Sequence, residues 1–408
     1  MFTVYGFITY FAQGLFWPLS FFNAKLNTWT KGRRQTWKII AGLPKQDRKT
    51  VWLHVASLGE YEQAVPILQA MKSQATPPFV AVSFFSPSGY EVVKNRVLAD
   101  VVCYLPLDTP SNAKRFLHHL NPDVALFVKY ELWPNYLKTL RHRKIPHFLV
   151  AARFYKGQAL FNYRFGRKLL SSFEAILCQD QQSLELAQQM APNTSVSLAG
   201  DTRFDRVYHL AEELHPVERI EKFVNQRFCL VVGSSWPEED QLIIRYLKEN
   251  LRDDFCVIIA PHRPSKSHSD GLRSALNEPV VLWSEEETPS SRVLIIDHIG
   301  LLNQVYQSAT IALVGGGFKT GLHNTLEPAA LGIPVLIGPQ YDTFPEVVEL
   351  VKQGGLLVVH DYETFEEALS NFQKQSRLVT EMGTLNKSEI IKHVGATQKV
   401  MKAIENYL

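Results

Sequence analysis

The 408-residue chain has few cysteines, and they are scattered: Cys103, Cys178, Cys229 and Cys256 form no C-x-x-C pair and no metal-type spacing. That pattern suggests neither a disulfide framework nor a structural metal and fits a reducing, cytosolic compartment. Thirteen histidines include no H-E-x-x-H. Neither G-x-x-x-x-G-K-[ST] nor G-x-G-x-x-G occurs, so a P-loop and a standard dinucleotide fingerprint both fit poorly. A formal net charge of +3 is too small to point to nucleic acid as a partner. No repeat or low-complexity tract stands out, and Glu285-Glu286-Glu287 reads as a solvated loop. Charge is also missing locally. Met1 to Ala24 carries no charged side chain, while nine aromatic residues crowd the same stretch.

A basic start and a small-residue cleavage site would mark a signal peptide, and neither is clear. Roughly 20 apolar residues can span a bilayer, but Gly6, Gly14, Pro18 and the interspersed Thr and Gln weaken that reading. Density in aromatics suits the bilayer interface. Lys25, Lys31, Arg33 and Arg34 follow, placed to meet anionic headgroups on the cytoplasmic side. The expectation is a one-sided membrane anchor over 1–24. The competing reading is a hydrophobic helix packed on the protein's own surface.

The rest alternates between strand and helix patterns. Strand-like runs cover 50–56, 78–84, 101–105, 124–128, 146–150, 175–178 and 196–198. After a polar stretch the pattern restarts at 228–232, 255–260, 280–283, 293–296, 310–314 and 335–337. Helical runs lie at 57–74, 88–98, 113–119, 161–172 and 238–250. At this length two cores are the default, and alternating elements mean parallel sheets with crossover helices. The expected fold class is α/β: two doubly wound, Rossmann-like domains facing a cleft. The domains are 25–210 and 227–390, joined by a linker at 211–226, with a C-terminal helix at 391–408 placed so that it can cross back to the N-terminal domain. Ligands in such sheets bind beyond the carboxyl ends of the strands.

The chemistry-bearing motifs fall at those ends. Gly315-Gly316-Gly317 follows a strand and leads through Gly321-Leu322-His323-Asn324-Thr325-Leu326-Glu327 into a short apolar helix ending near Gly332. A glycine turn before a helix lets backbone N–H groups approach a phosphate, and a carboxylate just inside the helix can accept both ribose hydroxyls. Asn324-x-x-Glu327 equally matches a capping box. Ser57-Leu58-Gly59-Glu60 offers the same choice between a cap and a general base, for which burial would have to offset the acidifying helix N-terminus. Lys129-Tyr130-Glu131 reads as a solvated ion pair or as cleft lining, with Trp133-Pro134 fixing the turn. Arg203 stabilises an anion or pairs with Asp201 or Asp205. Pro261-His262-Arg263-Pro264 and Asp297-His298-Ile299-Gly300-Leu301 offer backbone groups and a cation to a base or phosphate.

Taken in order along nearly the whole chain, the apolar N-terminus with its basic flank, Ser57 to Glu60, Glu131-Leu132-Trp133-Pro134-Asn135, Pro261 to Pro264, and Gly316 to Glu327 resemble the bacterial transferases of 3-deoxy-D-manno-octulosonic acid (Kdo). The resemblance implies a monotopic, inverting glycosyltransferase of the B type (GT-B), needing no metal or other cofactor. It would move Kdo from CMP-Kdo to a lipid A precursor at the cytoplasmic face of the inner membrane, in lipopolysaccharide synthesis. Glu60 matches the family's proton acceptor. Pro261, His262, Ile299, Gly300, Leu301, Asn324, Thr325, Leu326 and Glu327 match its CMP-contacting segments, with Glu327 on the ribose; Gly316 and Gly317 join them as phosphate neighbours. Three positions depart from the pattern. Lys129 stands where an acidic residue is common, and Arg203 where lysine stands. The order Pro261-His262-Arg263 replaces Pro-Arg-His, leaving open which of His262 and Arg263 makes the side-chain contact. Lys129 and Arg203, with Glu131, either form a rebuilt catalytic arrangement beside Glu60 or have a different role. The other readings are a sugar-nucleotide epimerase on a related scaffold and a non-catalytic membrane-bound binder of nucleotide or lipid.

Overall fold

The computed structural model describes all residues except 1–4, 12–13, 15–23, 96–97, 159–163, 251, 277–278 and 286–290. Two compact units emerge: the first comprises Met1–Arg206 together with His393–Leu408, the second Val207–Lys392. Most of the expected anchor, part of the expected helix at 161–172 and two residues of the Glu285 run lie outside the described residues. Glu285 itself pairs with Arg273.

In the first unit seven strands form one parallel sheet: β1 Thr50–Val55, β2 Phe79–Phe84, β3 Val101–Tyr104, β4 Val124–Val128, β5 His147–Ala152, β6 Ala175–Cys178 and β7 Ser195–Leu198. Their order is β3-β2-β1-β4-β5-β6-β7. The inner strands are mostly apolar because crossover helices cover both faces. Alternate side chains accordingly divide between two cores. Trp52, Ala81, Ala125, Phe127 and Leu149 pack on one face, and Val51, Leu53, Val80, Leu126 and Val150 on the other.

The second unit repeats the scheme with β8 Phe228–Ser235, β9 Phe255–Pro261, β10 Val280–Leu282, β11 Val293–Ile295, β12 Ile311–Val314, β13 Val335–Ile337 and β14 Leu356–Val358. The order is β10-β11-β9-β8-β12-β13-β14. Each sheet changes winding direction once, between β1 and β4 and between β8 and β12, and crevices at such points are where α/β sheets take ligands.

Local chemistry sets the helix boundaries. Helix 110–120 starts with Pro110 behind Thr109, whose hydroxyl accepts from Asn112 N at 3.2 Å, and stops at Asn121 with φ 43°. Pro134 opens helix 134–142, where a missing N–H costs nothing. This is a correction: Trp133-Pro134 begins a helix as well as fixing a turn. A second correction concerns helix 24–41. Arg33 is buried, its guanidinium carbon 3.4 Å from the Trp29 ring centre and its Nη2 donating to Phe85 O at 2.9 Å, so it faces the protein's own core and not solvent. Lys31 and Arg34 are exposed.

Residues 5–11 are helical. Among the described residues no helix is long and apolar enough to cross a membrane.

Candidate functional site

The first unit gathers its polar residues where β1 and β4 end side by side. Helix 58–72 begins just beyond β1, and Glu60 in its first turn is 4% exposed. Its Oε2 accepts the backbone N–H groups of Ala56 and Ser57, the latter at 3.2 Å. Glu60 therefore does act as a cap. Burial nonetheless pushes its carboxyl up to about 7, with the charge of Glu131 adding and the two N–H groups and Lys129 opposing. Desolvation outweighs the helix N-terminus here, which leaves a carboxyl poised near neutrality.

Lys129 leaves β4 at φ 63°, a left-handed conformation that costs a lysine free energy and recurs at functional sites. Burial holds its ammonium below the ordinary value, opposed by the attraction of Glu60. Glu131 is not a solvated partner of Lys129. It is buried, and its Oε2 accepts from Trp133 Nε1 at 3.0 Å. The same indole N–H reaches His54 Nε2 at 2.9 Å. The His54 Nδ1 lies 2.8 Å from Ser83 Oγ, which also accepts from Trp52 Nε1 at 2.8 Å. This chain of buried donors holds Glu131 close enough to raise the Glu60 carboxyl. Arg203 is clamped by Asp201 through Nε and Nη2, at 2.9 and 2.6 Å, and its charge reaches Lys129. Asp205 serves elsewhere, accepting from Gly395 and Thr397 N. Glu60, Lys129, Glu131 and Arg203 thus form one coupled group in which Lys129 and Arg203 are the cations.

In the second unit the ends of β8, β9 and β12 converge, with Gly233 paired to Ala260 and to Val314. The three consecutive glycines have a packing reason. A Cβ on Gly315 would lie 2.2 Å from Ser234 O, one on Gly316 2.2 Å from Gly321 O, and one on Gly317 2.7 Å from Gly338 N. Gly316 also has φ 89°, and its N–H goes to the fully buried Glu239 carboxylate at 2.8 Å. That N–H is consequently committed within the protein, which corrects its expected role as a phosphate donor. Asn324 and Glu327 do not share a helix start as a capping box would: the helix is 326–330 and Asn324 Oδ1 accepts from Leu326 N at 3.1 Å. Burial raises the Tyr306 hydroxyl, and the charge of the half-buried Glu327 adds to that shift. Thr325 is buried, and its hydroxyl has no partner among the described residues.

His262 donates its backbone N–H to Ser235 O and stacks on Trp236, ring centres 4.7 Å apart and planes at 19°. His323 lies 4.4 Å from the His262 ring and accepts from Trp236 Nε1 at 3.0 Å. Burial, helped by His262, drives the His323 imidazole down to about 4, so it is neutral. Burial lowers the His262 imidazole, with the charge of Arg263 adding to it. Ile299 is exposed, Gly300 has φ 100°, and Leu301 precedes helix 302–306. Trp236, Glu239, Tyr306 and His54 were not singled out as site residues in the sequence. His54 carried a signal, as a polar residue inside an otherwise apolar strand. Among the described residues no group of three His, Cys, Asp or Glu side chains is placed to hold a metal.

A family profile described as 3-Deoxy-D-manno-octulosonic-acid transferase (kdotransferase) matches residues 31–206, the stretch that contains Glu60 to Arg203. The 3-deoxy-D-manno-octulosonic acid transferase of Haemophilus influenzae is 28% identical over 382 residues, covering 88% of this chain and 87% of its own. The Aquifex aeolicus transferase of the same name is 26% identical, covering 76% and 83%. The chain is similar to Kdo transferases along most of its length. Among solved structures, a UDP-GlcNAc 2-epimerase from Neisseria meningitidis superposes with a TM-score of 0.63 over 88% of this chain and 100% of its own, at 15% identity. MurG of Acinetobacter baumannii gives 0.55 at 13% identity, over 88% and 99%. These likenesses show the fold, two parallel-sheet α/β domains of the GT-B kind.

Proposed function

We propose that this protein transfers Kdo from CMP-Kdo to a hydroxyl of a lipid A precursor of the lipid IVA type, without a metal, at the cytoplasmic face of the inner membrane. The observation that carries the chemistry is Glu60, a buried carboxyl raised to about 7 at the end of β1. A base works best with a pKa near the working pH. Glu60 would take the proton from the acceptor hydroxyl as that oxygen bonds to the anomeric carbon of Kdo. The bond from that carbon to the CMP phosphate breaks with its electrons passing to the phosphate oxygen, and the anomeric configuration inverts. Lys129 and Arg203 would offset negative charge developing there. The second unit would hold CMP, with the Trp236–His262–His323 stack, Arg263 and the Ile299–Leu301 turn near base and phosphate and Glu327 on the ribose.

Membrane association is supported by exposed Phe7, Ile8 and Phe11 in helix 5–11. The test is transfer of Kdo from freshly generated CMP-Kdo to a tetra-acylated lipid A precursor, with chelator present. Product gaining the mass of Kdo is expected. Glu60→Gln should lower the rate about 10²–10⁴-fold with CMP affinity unchanged. An unchanged rate would remove Glu60 from the mechanism.

A further inference from the structure

One cation in the neighbourhood of Glu60 has no counter-ion among the described residues. β4 and β5 end side by side, with Val128 paired to Val150 and Lys129 N donating to Val150 O at 2.9 Å. Arg153 is the first residue beyond β5. The chain is turned there by Ala151, whose φ of 49° is left-handed like that of Lys129. On either side of Arg153 the backbone is pinned. Ala152 O accepts from Gln179 N at 2.9 Å, and Phe154 N donates to Ser183 Oγ at 2.8 Å. The charge of Arg153 acts on both Lys129 and Tyr130, which places it in the group around Glu60. Tyr130 and Tyr155 on the same rim are exposed, so the position is open to a substrate.

The other charges of this group are answered within the protein. Asp201 clamps Arg203 through two bonds, Lys129 is drawn to Glu60, and Glu131 is engaged by Trp133. Arg153 is half-buried and takes part in no hydrogen bond or ion pair among the described residues. A guanidinium that gives up part of its hydration needs a partner in return, and its planar fork fits a carboxylate through two parallel N–H bonds. The reaction proposed above supplies one. Kdo is a 2-ulosonic acid, so its carboxylate is attached to the anomeric carbon itself. When the acceptor oxygen beside Glu60 bonds to that carbon, the sugar carboxylate must lie close to the Glu60 carboxylate. Two like charges at that range repel unless a cation faces one of them. One guanidinium without a counter-ion matches one negative charge, which favours a carboxylate over a phosphate dianion.

We propose that Arg153 binds the carboxylate of the transferred sugar and so selects an acidic sugar over a neutral one. The proposal rests on the transferase reading above and deepens it by dividing the cations between two groups of the donor. Arg153 takes the carboxylate, which is charged before, during and after transfer. Lys129 and Arg203 meet the charge that develops on the phosphate. Arg153 therefore contributes mainly to holding the donor sugar and to telling it from others.

The test pairs two proteins with two donors. The full chain and its Arg153→Met variant are assayed with CMP-Kdo and detergent-dispersed acceptor, and each is inhibited with the CMP-Kdo analogue whose carboxylate is replaced by a carboxamide. Arg153→Met should lower kcat/KM for CMP-Kdo about 10–100-fold, chiefly through KM. The inhibition constant of the carboxamide analogue should be the same for both proteins, because the group that Arg153 reads is missing from it. Arg153→Lys keeps the charge without the fork and should recover part of the loss. Affinity for CMP and KM for the acceptor should stay unchanged, which also shows that the variant is folded. An unchanged kcat/KM for CMP-Kdo overturns the proposal, and so does an equal weakening of CMP-Kdo and its carboxamide. A loss confined to KM for the acceptor overturns it as well and would assign Arg153 to an acceptor phosphate. Absence of transfer by the native chain would remove the transferase reading and this inference together, whereas the other outcomes remove this inference alone.

Discussion

At the scale of single residues, the electrostatics around Glu60 carry opposite signs that can be tested separately. The negative charge of Glu131 raises the Glu60 carboxyl, whereas Lys129 lowers it. A base must be ionised, so the rate should fall as pH drops through about 7. Glu131→Gln removes the raising charge and should move that acid limb to lower pH. Lys129→Met removes the lowering charge and should move it to higher pH. One charge changed nearby is worth up to about one pH unit, large enough to resolve in profiles of kcat/KM. Limbs that move together would mean another group sets the profile. Legibility in the sequence stopped at this point. The helix-start motif at Glu60 was readable and so was its double meaning. Which meaning prevailed was not, because the answer lies in burial by residues distant in sequence. The structure gives both, since Glu60 caps and is buried. Arg203 pairing with Asp201 in preference to Asp205 was likewise undecidable from spacing, because Asp205 is drawn to the C-terminal helix.

At the scale of elements, strands were the most legible feature, because a strand covered on both faces is apolar throughout and has nowhere else to go. Val124–Val128, Ala175–Cys178 and Val335–Ile337 fall where the sequence puts them, and most others agree within a residue or two. Leu356–Val358 escaped notice; three residues at a sheet edge give too short a pattern. Helix 134–142 is hidden when Trp133-Pro134 is read only as fixing a turn, because Pro134 also opens the helix. The glycine run shows the same limit. Its position after β12 was legible, but its reason is contact between backbones that only the fold brings together. Gly316→Ala combines φ 89° with a Cβ 2.2 Å from Gly321 O. It should cost at least about 2 kcal/mol and displace the turn that carries His323, weakening CMP binding. Gly271→Ala, in a helix with nothing within 4 Å of the added carbon, is the matched control and should be neutral or slightly stabilising. Urea unfolding and CMP titration of both variants would check this; equal behaviour would mean that the turn can relax.

At the scale of the whole molecule, the chain leaves its first unit at residue 206 and returns to it at 393. What holds the returning segment is specific. The Asp205 carboxylate accepts from Gly395 N at 2.7 Å and Thr397 N at 3.1 Å, the donors left unpaired at the start of helix 396–404. Val400 and Ile404 then join the core that contains Val51, Leu53 and Val150. Phe204 packs on the His393 ring at 4.8 Å. A segment of 16 residues therefore completes a core begun more than 300 residues earlier, and Asp205 is the anchor of its first turn. Asp205→Ala leaves two donors without their acceptor, one of them at Gly395 with φ 112°. The expected cost is about 1–3 kcal/mol, felt in the first unit alone. Hydrogen exchange should quicken in helix 396–404 and in β1, while β8 and β12 keep their protection and CMP affinity stays unchanged. Equal loss of protection in both sheets would show instead that the two units unfold as a single cooperative body.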